Sequence, residues 1–148
     1  MSGSPMRVCY LFPLIPIDKN DKFSRIKQIY SYAISMSASS PDSAMTIICP
    51  DKAVFVRVMK DILPYKTCAA LSNNKLCITS ENVRINLLTT RTIDKNPIPN
   101  TVLCLYAHLD LMKKISNKKG IESLIVATEL EDAYLFSKSA FSPIFLTY

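Results

Sequence analysis

Apolar positions in the first half of the chain form two uninterrupted short runs with a longer amphipathic stretch between them. Val8 to Phe12 is a run of β-formers that is broken by Pro13, and Met45 to Cys49 is a second run that stops at Pro50. Short runs without polar positions are typical of strands covered on both faces. From Asp21 to about Ala38 the apolar residues recur at helical spacing, which predicts a helix between the two strands.

A second helix is predicted directly after the second strand. Asp51 is a suitable N-cap, and Pro64 is expected to end the helix. One face of this helix is apolar and contains Ala53, Val56, Met59 and Leu63. The order of strand, helix, strand and helix favours a parallel sheet with right-handed crossovers.

The middle of the chain has the pattern of a β-hairpin. Leu76 to Thr79 and Val83 to Thr89 are two strand-like segments, separated by the three residues 80–82. In the second segment apolar residues alternate with Arg84 and Asn86, as in a strand with one wet face. We expect an antiparallel insertion at one edge of the sheet.

Alternation of strands and helices resumes in the last third. The predicted elements are a strand over Thr101–Tyr106, a helix over Leu109–Lys119, a strand over Ser123–Ala127, a helix from the capping box Thr128–Glu131 toward Phe141, and a strand over Pro143–Thr147. The sequence thus predicts one α/β domain over residues 1–148. We expect a three-layer, Rossmann-like fold with about four helices and a mixed, mostly parallel sheet of five to seven strands. Residues 1–5 are interpreted as a flexible leader or a cloning remnant.

Glycine is scarce, which argues against the common phosphate-binding sites. The chain has two glycines, Gly3 in the leader and Gly120 at the end of a predicted helix. Dinucleotide and P-loop sites need glycines after the first strand, because the backbone there must approach a phosphate closely. No Gly-x-Ser-x-Gly nucleophile motif is present either. We expect no nucleotide cofactor.

The cysteines and the apolar runs indicate an intracellular protein. The number of cysteines is odd, and the sequence has no Cys-x-x-Cys motif. The five cysteines are Cys9, Cys49, Cys68, Cys77 and Cys104. They are interpreted as free, buried thiols in a reducing compartment, and with one histidine they do not suggest a zinc site. No run approaches the roughly 20 apolar residues of a membrane-spanning helix. We expect a cytoplasmic protein that binds neither a metal nor a membrane.

Polar residues at the carboxyl ends of the predicted strands are the weak candidates for catalysis. They are His108, Asp110, Asp51 and Glu129. Ligands of parallel α/β sheets usually bind at this rim, and carboxylates can hold a metal that activates water. A metal-assisted hydrolase is therefore the third functional hypothesis. The alternative interpretation is that these residues cap helices, since the acidic ones lie at predicted helix starts.

A net charge of +6 makes association with nucleic acid the second hypothesis. The residues proposed for it, on the hairpin and the third predicted helix, are Arg84, Arg91, Lys113, Lys114 and Lys118. No tract of consecutive basic residues and no known nucleic-acid-binding motif accompanies them. The alternative is a solvated helix face whose cations suit the negative end of the helix dipole.

The preferred hypothesis is a non-catalytic protein-binding or scaffolding module, an accessory subunit of an intracellular complex. Two places could meet another protein or a second copy of this chain. One is the edge of the hairpin strand Val83–Thr89. The other is the aromatic C-terminal segment, with Tyr134, Phe136 and Phe141 as the expected interface residues. The alternative for these aromatic residues is that they close the core.

Overall fold

A computed structural model describes residues 8–14, 19–96, 98, 100–106, 108–116, 118, 120–129 and 144–145. Within these residues the protein has an α/β fold, with four α-helices, six mutually parallel strands and one antiparallel strand. The predicted leader at residues 1–5 lies outside the described residues. Most of the segment predicted to be a helix toward Phe141 lies outside them as well.

The described strands form one sheet. They are β1 (Val8–Leu14), β2 (Ala44–Cys49), β3 (Cys77–Ile78), β4 (Arg84–Thr89), β5 (Thr101–Leu105), β6 (Ser123–Glu129) and β7 (Ile144–Phe145). Their order across the sheet is β3-β4-β2-β5-β6-β1-β7. β3 runs antiparallel to β4, and every other neighbouring pair is parallel. The predictions of a mixed, mostly parallel sheet and of an antiparallel hairpin at its edge are confirmed.

Two of the four helices differ clearly from the sequence-based expectation. The helices are α1 (Lys19–Ala38), α2 (Lys52–Met59), α3 (Tyr65–Ser72) and α4 (Leu109–Ser116). α2 ends at Met59, well before Pro64, and α3 was not predicted at all. The carbonyl of Pro64 accepts a 3.0 Å hydrogen bond from the N–H of Cys68, so this proline precedes a helix instead of ending one. Proline is tolerated there because the first turn of a helix does not use its backbone N–H groups.

The helix that was predicted to begin at Thr128 does not begin there, and the rest of the predicted capping box lies outside the described residues. Thr128 and Glu129 are the last residues of β6, and they pair with Pro13 and Leu14 of β1. β1 continues through Pro13 rather than stopping before it, and this gives β6 a partner along its full length. Thr128 is fully buried there, so its tertiary environment overrides the local capping pattern.

Neighbouring residues of the central strands contribute to two separate apolar clusters. Ile47, Leu103 and Ile125 join the cluster that contains the buried residues of α1, α2 and α3. Ile48, Cys104 and Val126 join the cluster that contains the buried residues of α4. Successive side chains of a strand point to opposite faces of the sheet. β2, β5 and β6 are therefore covered on both faces, as their continuous apolar runs predict. None of the helices in the described part of the chain is long and apolar enough to cross a bilayer.

Candidate interaction surface

The carboxyl ends of β2 and β5 lie side by side, and the chain leaves them in different directions. After β2 it enters α2 and continues toward β4, whereas after β5 it enters α4 and continues to β6. Such a switch point is the usual ligand-binding crevice of an open parallel sheet. The structure places Asp51, His108 and Asp110 at this edge, as predicted from the sequence.

The contacts of these rim residues are those of helix caps. The Asp51 carboxylate accepts a 2.8 Å hydrogen bond from the N–H of Val54 at the start of α2. Nδ1 of His108 accepts a 3.2 Å hydrogen bond from the N–H of Leu111 at the start of α4. Among the described residues no hydrogen bond or ion pair joins His108 to Asp51 or Asp110. The capping interpretation therefore accounts for both side chains.

The third hypothesis also needs a group of metal ligands. Within the described ranges no three His, Cys, Asp or Glu side chains are grouped to hold an ion. Glu129 ends β6, where a helix start was expected. The catalytic role of these rim residues stays a prediction.

An open hollow of about 480 Å³ lies beside the switch point, between the ends of β2 and β4. It is lined by Pro50, Asp51, Lys52, Ala53, Thr89, Arg91 and Thr92. Lys114 approaches from α4, and its Nζ lies 3.3 Å from both the carbonyl oxygen of Thr90 and Oδ2 of Asp94. The charge of this lysine is thus compensated locally.

The cations proposed for nucleic-acid contact are spread over the molecule. Arg84 begins β4 and Arg91 follows its end, and a strand of this length separates them by about 20 Å. Lys113 and Lys114 belong to α4, and Lys118 follows it. A single patch therefore does not contain all five residues. Nucleic-acid binding stays a prediction.

Among the described strands, β3 lies at the edge of the sheet near the hairpin. The sequence had suggested that β4 would be this edge strand. β4 lies inside the sheet, between β3 and β2. The N–H of Thr79 donates a 2.9 Å hydrogen bond to the carbonyl of Val83, and two residues further along the ladder Cys77 pairs with Ile85. Hydrogen-bonded and non-hydrogen-bonded pairs alternate in an antiparallel ladder.

By this alternation Ile78 and Arg84 form a non-hydrogen-bonded pair. The N–H of Arg84 accordingly turns the other way and donates a 2.9 Å hydrogen bond to the carbonyl of Ser43, next to β2. The N–H and C=O of Ile78 therefore face away from β4. Ile78 presents both backbone groups at the outer edge of the sheet.

Large apolar side chains are exposed around this edge. Tyr65 is 86% exposed, Ile78 64%, Leu76 59% and Val56 40%. The start of α3 separates two hollows in this region. One, of about 440 Å³, includes Val56 and Tyr65, and the other, of about 360 Å³, includes Ile78 with Pro64 and Thr67. We call this region the β3–α3 surface and define it by Val56, Pro64, Tyr65, Thr67, Leu76 and Ile78.

The α3 part of this surface was not predicted from the sequence, because α3 itself was not predicted. The available signal was the spacing of Cys68 and Leu71, which are the buried residues of this helix. The exposure of Tyr65 had no local signal. The predicted interface residues Tyr134, Phe136 and Phe141 lie outside the described residues, so that interface stays a prediction.

Comparison of the chain with protein-family models, curated proteins and solved structures found no match. The case for function therefore depends on the geometry of the chain itself.

Proposed function

We propose that the protein is a non-catalytic protein-binding module, an accessory subunit of a cytoplasmic complex. It recognises an extended segment of another protein through the β3–α3 surface. The observation that carries this proposal is Ile78. Its outward-facing N–H and C=O and its exposed side chain lie on the free edge strand beside Leu76.

A sheet edge with free backbone groups can be extended by another strand. Each new backbone hydrogen bond contributes only about 0.5–1.5 kcal/mol, because both partners lose water. Burial of a large apolar side chain contributes about 1.5–3 kcal/mol. Leu76 and Ile78 therefore supply affinity that the ladder alone lacks. Proteins commonly protect edge strands with lysine, proline or an inward charge, whereas Ile78 is an exposed aliphatic residue here.

The rest of the fold can hold this edge rigidly in place. We propose that residues 1–148 form one three-layer, Rossmann-like domain, with helices on both faces of the sheet. The two apolar clusters support this arrangement, because they contain alternate residues of the same central strands. Pre-organised backbone at a binding site reduces the entropy lost on association.

The proposal is tested with peptides selected from a displayed library and with two variants of Ile78. Ile78→Pro removes the outward N–H but leaves the Cys77–Ile85 pair intact, since proline is tolerated on the solvent side of an edge strand. Ile78→Thr keeps the N–H and a β-branched side chain, and it is the matched control. We expect selected peptides to lose binding to Ile78→Pro and to retain most of it with Ile78→Thr.

Hydrogen exchange provides the second measurement. Bound peptide should slow exchange of the Ile78 amide in the wild type, because that amide becomes a ladder donor. Selected peptides that bind both variants equally and leave this amide unprotected would contradict the proposal.

A further inference from the structure

Building on the proposed function, we infer that the segment which pairs with β3 alternates aliphatic with acidic side chains. The observation behind this is the charge around the β3–α3 surface. Residues 56–81 contain four cations and two carboxylates. These cations are neighbours in sequence of exposed apolar residues of the surface or line a hollow with them, so we expect a partner bound there to meet them.

Three of the four cations adjoin a member of the surface in the chain. Arg57 follows Val56, Lys66 follows Tyr65 and Lys75 precedes Leu76 in the chain. The fourth, Lys60, lines the same hollow as Tyr65. All four are exposed. Among the residues that the structure describes, the one ion pair joins Lys114 to Asp94, which are not part of this region.

Two carboxylates offset part of this positive charge, and Glu81 lines the same hollow as Ile78. Glu81 lies in the hairpin turn, where Ser80 Oγ donates a 2.8 Å hydrogen bond to its carboxylate. Asp61 lies in the turn after α2 and is exposed. Lys66 follows Tyr65 and Lys75 precedes Leu76, and neither lysine has an acidic neighbour in sequence. Acidic residues of a bound segment would supply the missing charges.

A second copy of this chain is a poor occupant of the same surface. Symmetric pairing places the same patch against itself, so Lys66 and Lys75 of one copy would face a patch of the same sign. Like charges opposed across paired strands are destabilising. The two-residue length of β3 also limits how much ladder two copies could share. A different, acidic protein segment fits better.

Three synthetic peptides of equal length test the inference on the full chain: Glu-Val-Glu-Val-Glu-Val, Ser-Val-Ser-Val-Ser-Val and Lys-Val-Lys-Val-Lys-Val. Fluorescence anisotropy measures their affinities at low and at physiological salt. We expect the acidic peptide to bind about tenfold more tightly than the neutral one, which corresponds to a few exposed ion pairs. The basic peptide should bind more weakly than both. The advantage of the acidic peptide should shrink as salt is added.

Charge reversal identifies which lysines are responsible. The double variant Lys66→Glu/Lys75→Glu should remove the preference for the acidic peptide and favour the basic one. The matched control is Lys27→Glu/Lys95→Glu, which makes the same change in net charge on exposed residues of α1 and the short helix Ile93–Lys95. This control should keep the preference. Loss of the preference in both double variants would show a general charge effect and overturn the inference.

The outcomes separate this inference from the proposed function. If all three peptides bind equally and Ile78→Pro abolishes all three, the edge is a binding site but the acidic preference is wrong. If neither these peptides nor any peptide selected from the library binds the wild type, the proposed function fails as well. A competition experiment with an oligonucleotide of about 20 deoxythymidines tests whether the surface binds other polyanions. If the oligonucleotide displaces the acidic peptide at comparable concentration, the surface takes polyanions in general, and the inference of a protein segment is overturned.

Discussion

The sulfur of Cys77 lies 3.9 Å from the carbonyl oxygen of Thr67, so the edge strand β3 contacts the first turn of α3. β3 has only two residues, and its other described partner is β4. This contact explains how a short strand holds a defined position beside the helix. It also places the edge strand that contains Ile78 beside the helix that begins at Tyr65.

Thiol reactivity should follow burial. Cys77 is half-buried, whereas Cys49, Cys68 and Cys104 are buried, and none of these four described cysteines is in a disulfide. Burial raises the pKa of the Cys49 thiol, and the nearby Asp51 carboxylate raises it further; burial also raises the pKa of Cys68. Because the thiolate is the reactive form, we expect N-ethylmaleimide to modify Cys77 first among these four. Mass spectrometry of the digested protein resolves the sites, including Cys9, which lies outside the described side chains. Equal rates at Cys49 and Cys77 would contradict the burial of Cys49.

Removal of the helix caps should lower stability. Asp51→Ala and His108→Ala each delete a side-chain acceptor at a helix start, and each should lower the free energy of unfolding by about 1 kcal/mol. Asp51→Asn and His108→Asn keep an acceptor and should cost less. Urea denaturation measures all four. Unchanged stability in both alanine variants would contradict the capping role and return these residues to the catalytic hypothesis.

The elements of this fold were predicted better than their arrangement. The runs at Met45–Cys49 and Thr101–Tyr106 identify strands because strands covered on both faces are mostly apolar and do not alternate with charged residues. The order of strands across the sheet has no such local signal. β1 and β2 are consecutive in the chain, yet β5 and β6 lie between them. Pairings of this kind depend on contacts between distant segments.

The environment of single residues in the hairpin also depends on strand order, which the sequence does not show. Asn86 was interpreted as a polar residue on a wet strand face. In the structure its Oδ1 accepts a 2.7 Å hydrogen bond from Oγ1 of Thr46 on β2, because β4 lies inside the sheet. The hairpin was visible in the sequence, but which of its two strands joins β2 was not. That choice decides which backbone groups stay free.

Stability should fall in alkali as Tyr30 ionises. Burial, with a smaller contribution from the Glu81 carboxylate, raises the pKa of Tyr30 from 10.0 to about 12, because both disfavour the phenolate. The folded state therefore holds this proton more tightly than the unfolded state. The resulting stabilisation is complete below pH 10 and is lost as the pH rises to about 12. Tyr30→Phe removes the titrating group and should flatten this part of the stability curve. The difference in urea midpoint between wild type and variant, followed from pH 9 upward in steps of about 0.5, checks the sign. A difference that does not change with pH would contradict it.

The same substitution at two aromatic residues near the β3–α3 surface should have very different effects on the free energy of unfolding. Phe55 is completely buried in α2, whereas Tyr65 at the start of α3 is 86% exposed. Phe55→Ala leaves a cavity in the core and should lower the free energy of unfolding by about 3–5 kcal/mol. Tyr65→Ala removes surface area that is already in water, and it should change stability by no more than about 0.5 kcal/mol.

For peptide affinity we expect the larger effect from the substitution of Tyr65 and the smaller effect from the substitution of Phe55. Tyr65→Ala removes the largest exposed apolar side chain of the surface, so the affinity for a selected peptide should fall, while Phe55→Leu, a milder core variant that stays folded, should keep it. Urea denaturation gives the stabilities and fluorescence anisotropy gives the affinities. If Tyr65→Ala destabilises the protein as much as Phe55→Ala, then Tyr65 packs in the core, and the surface loses the side chain that makes it apolar. If Tyr65→Ala is as stable as the wild type and binds the peptide equally well, the partner contacts the backbone edge at Ile78 and not the hollow beside α3.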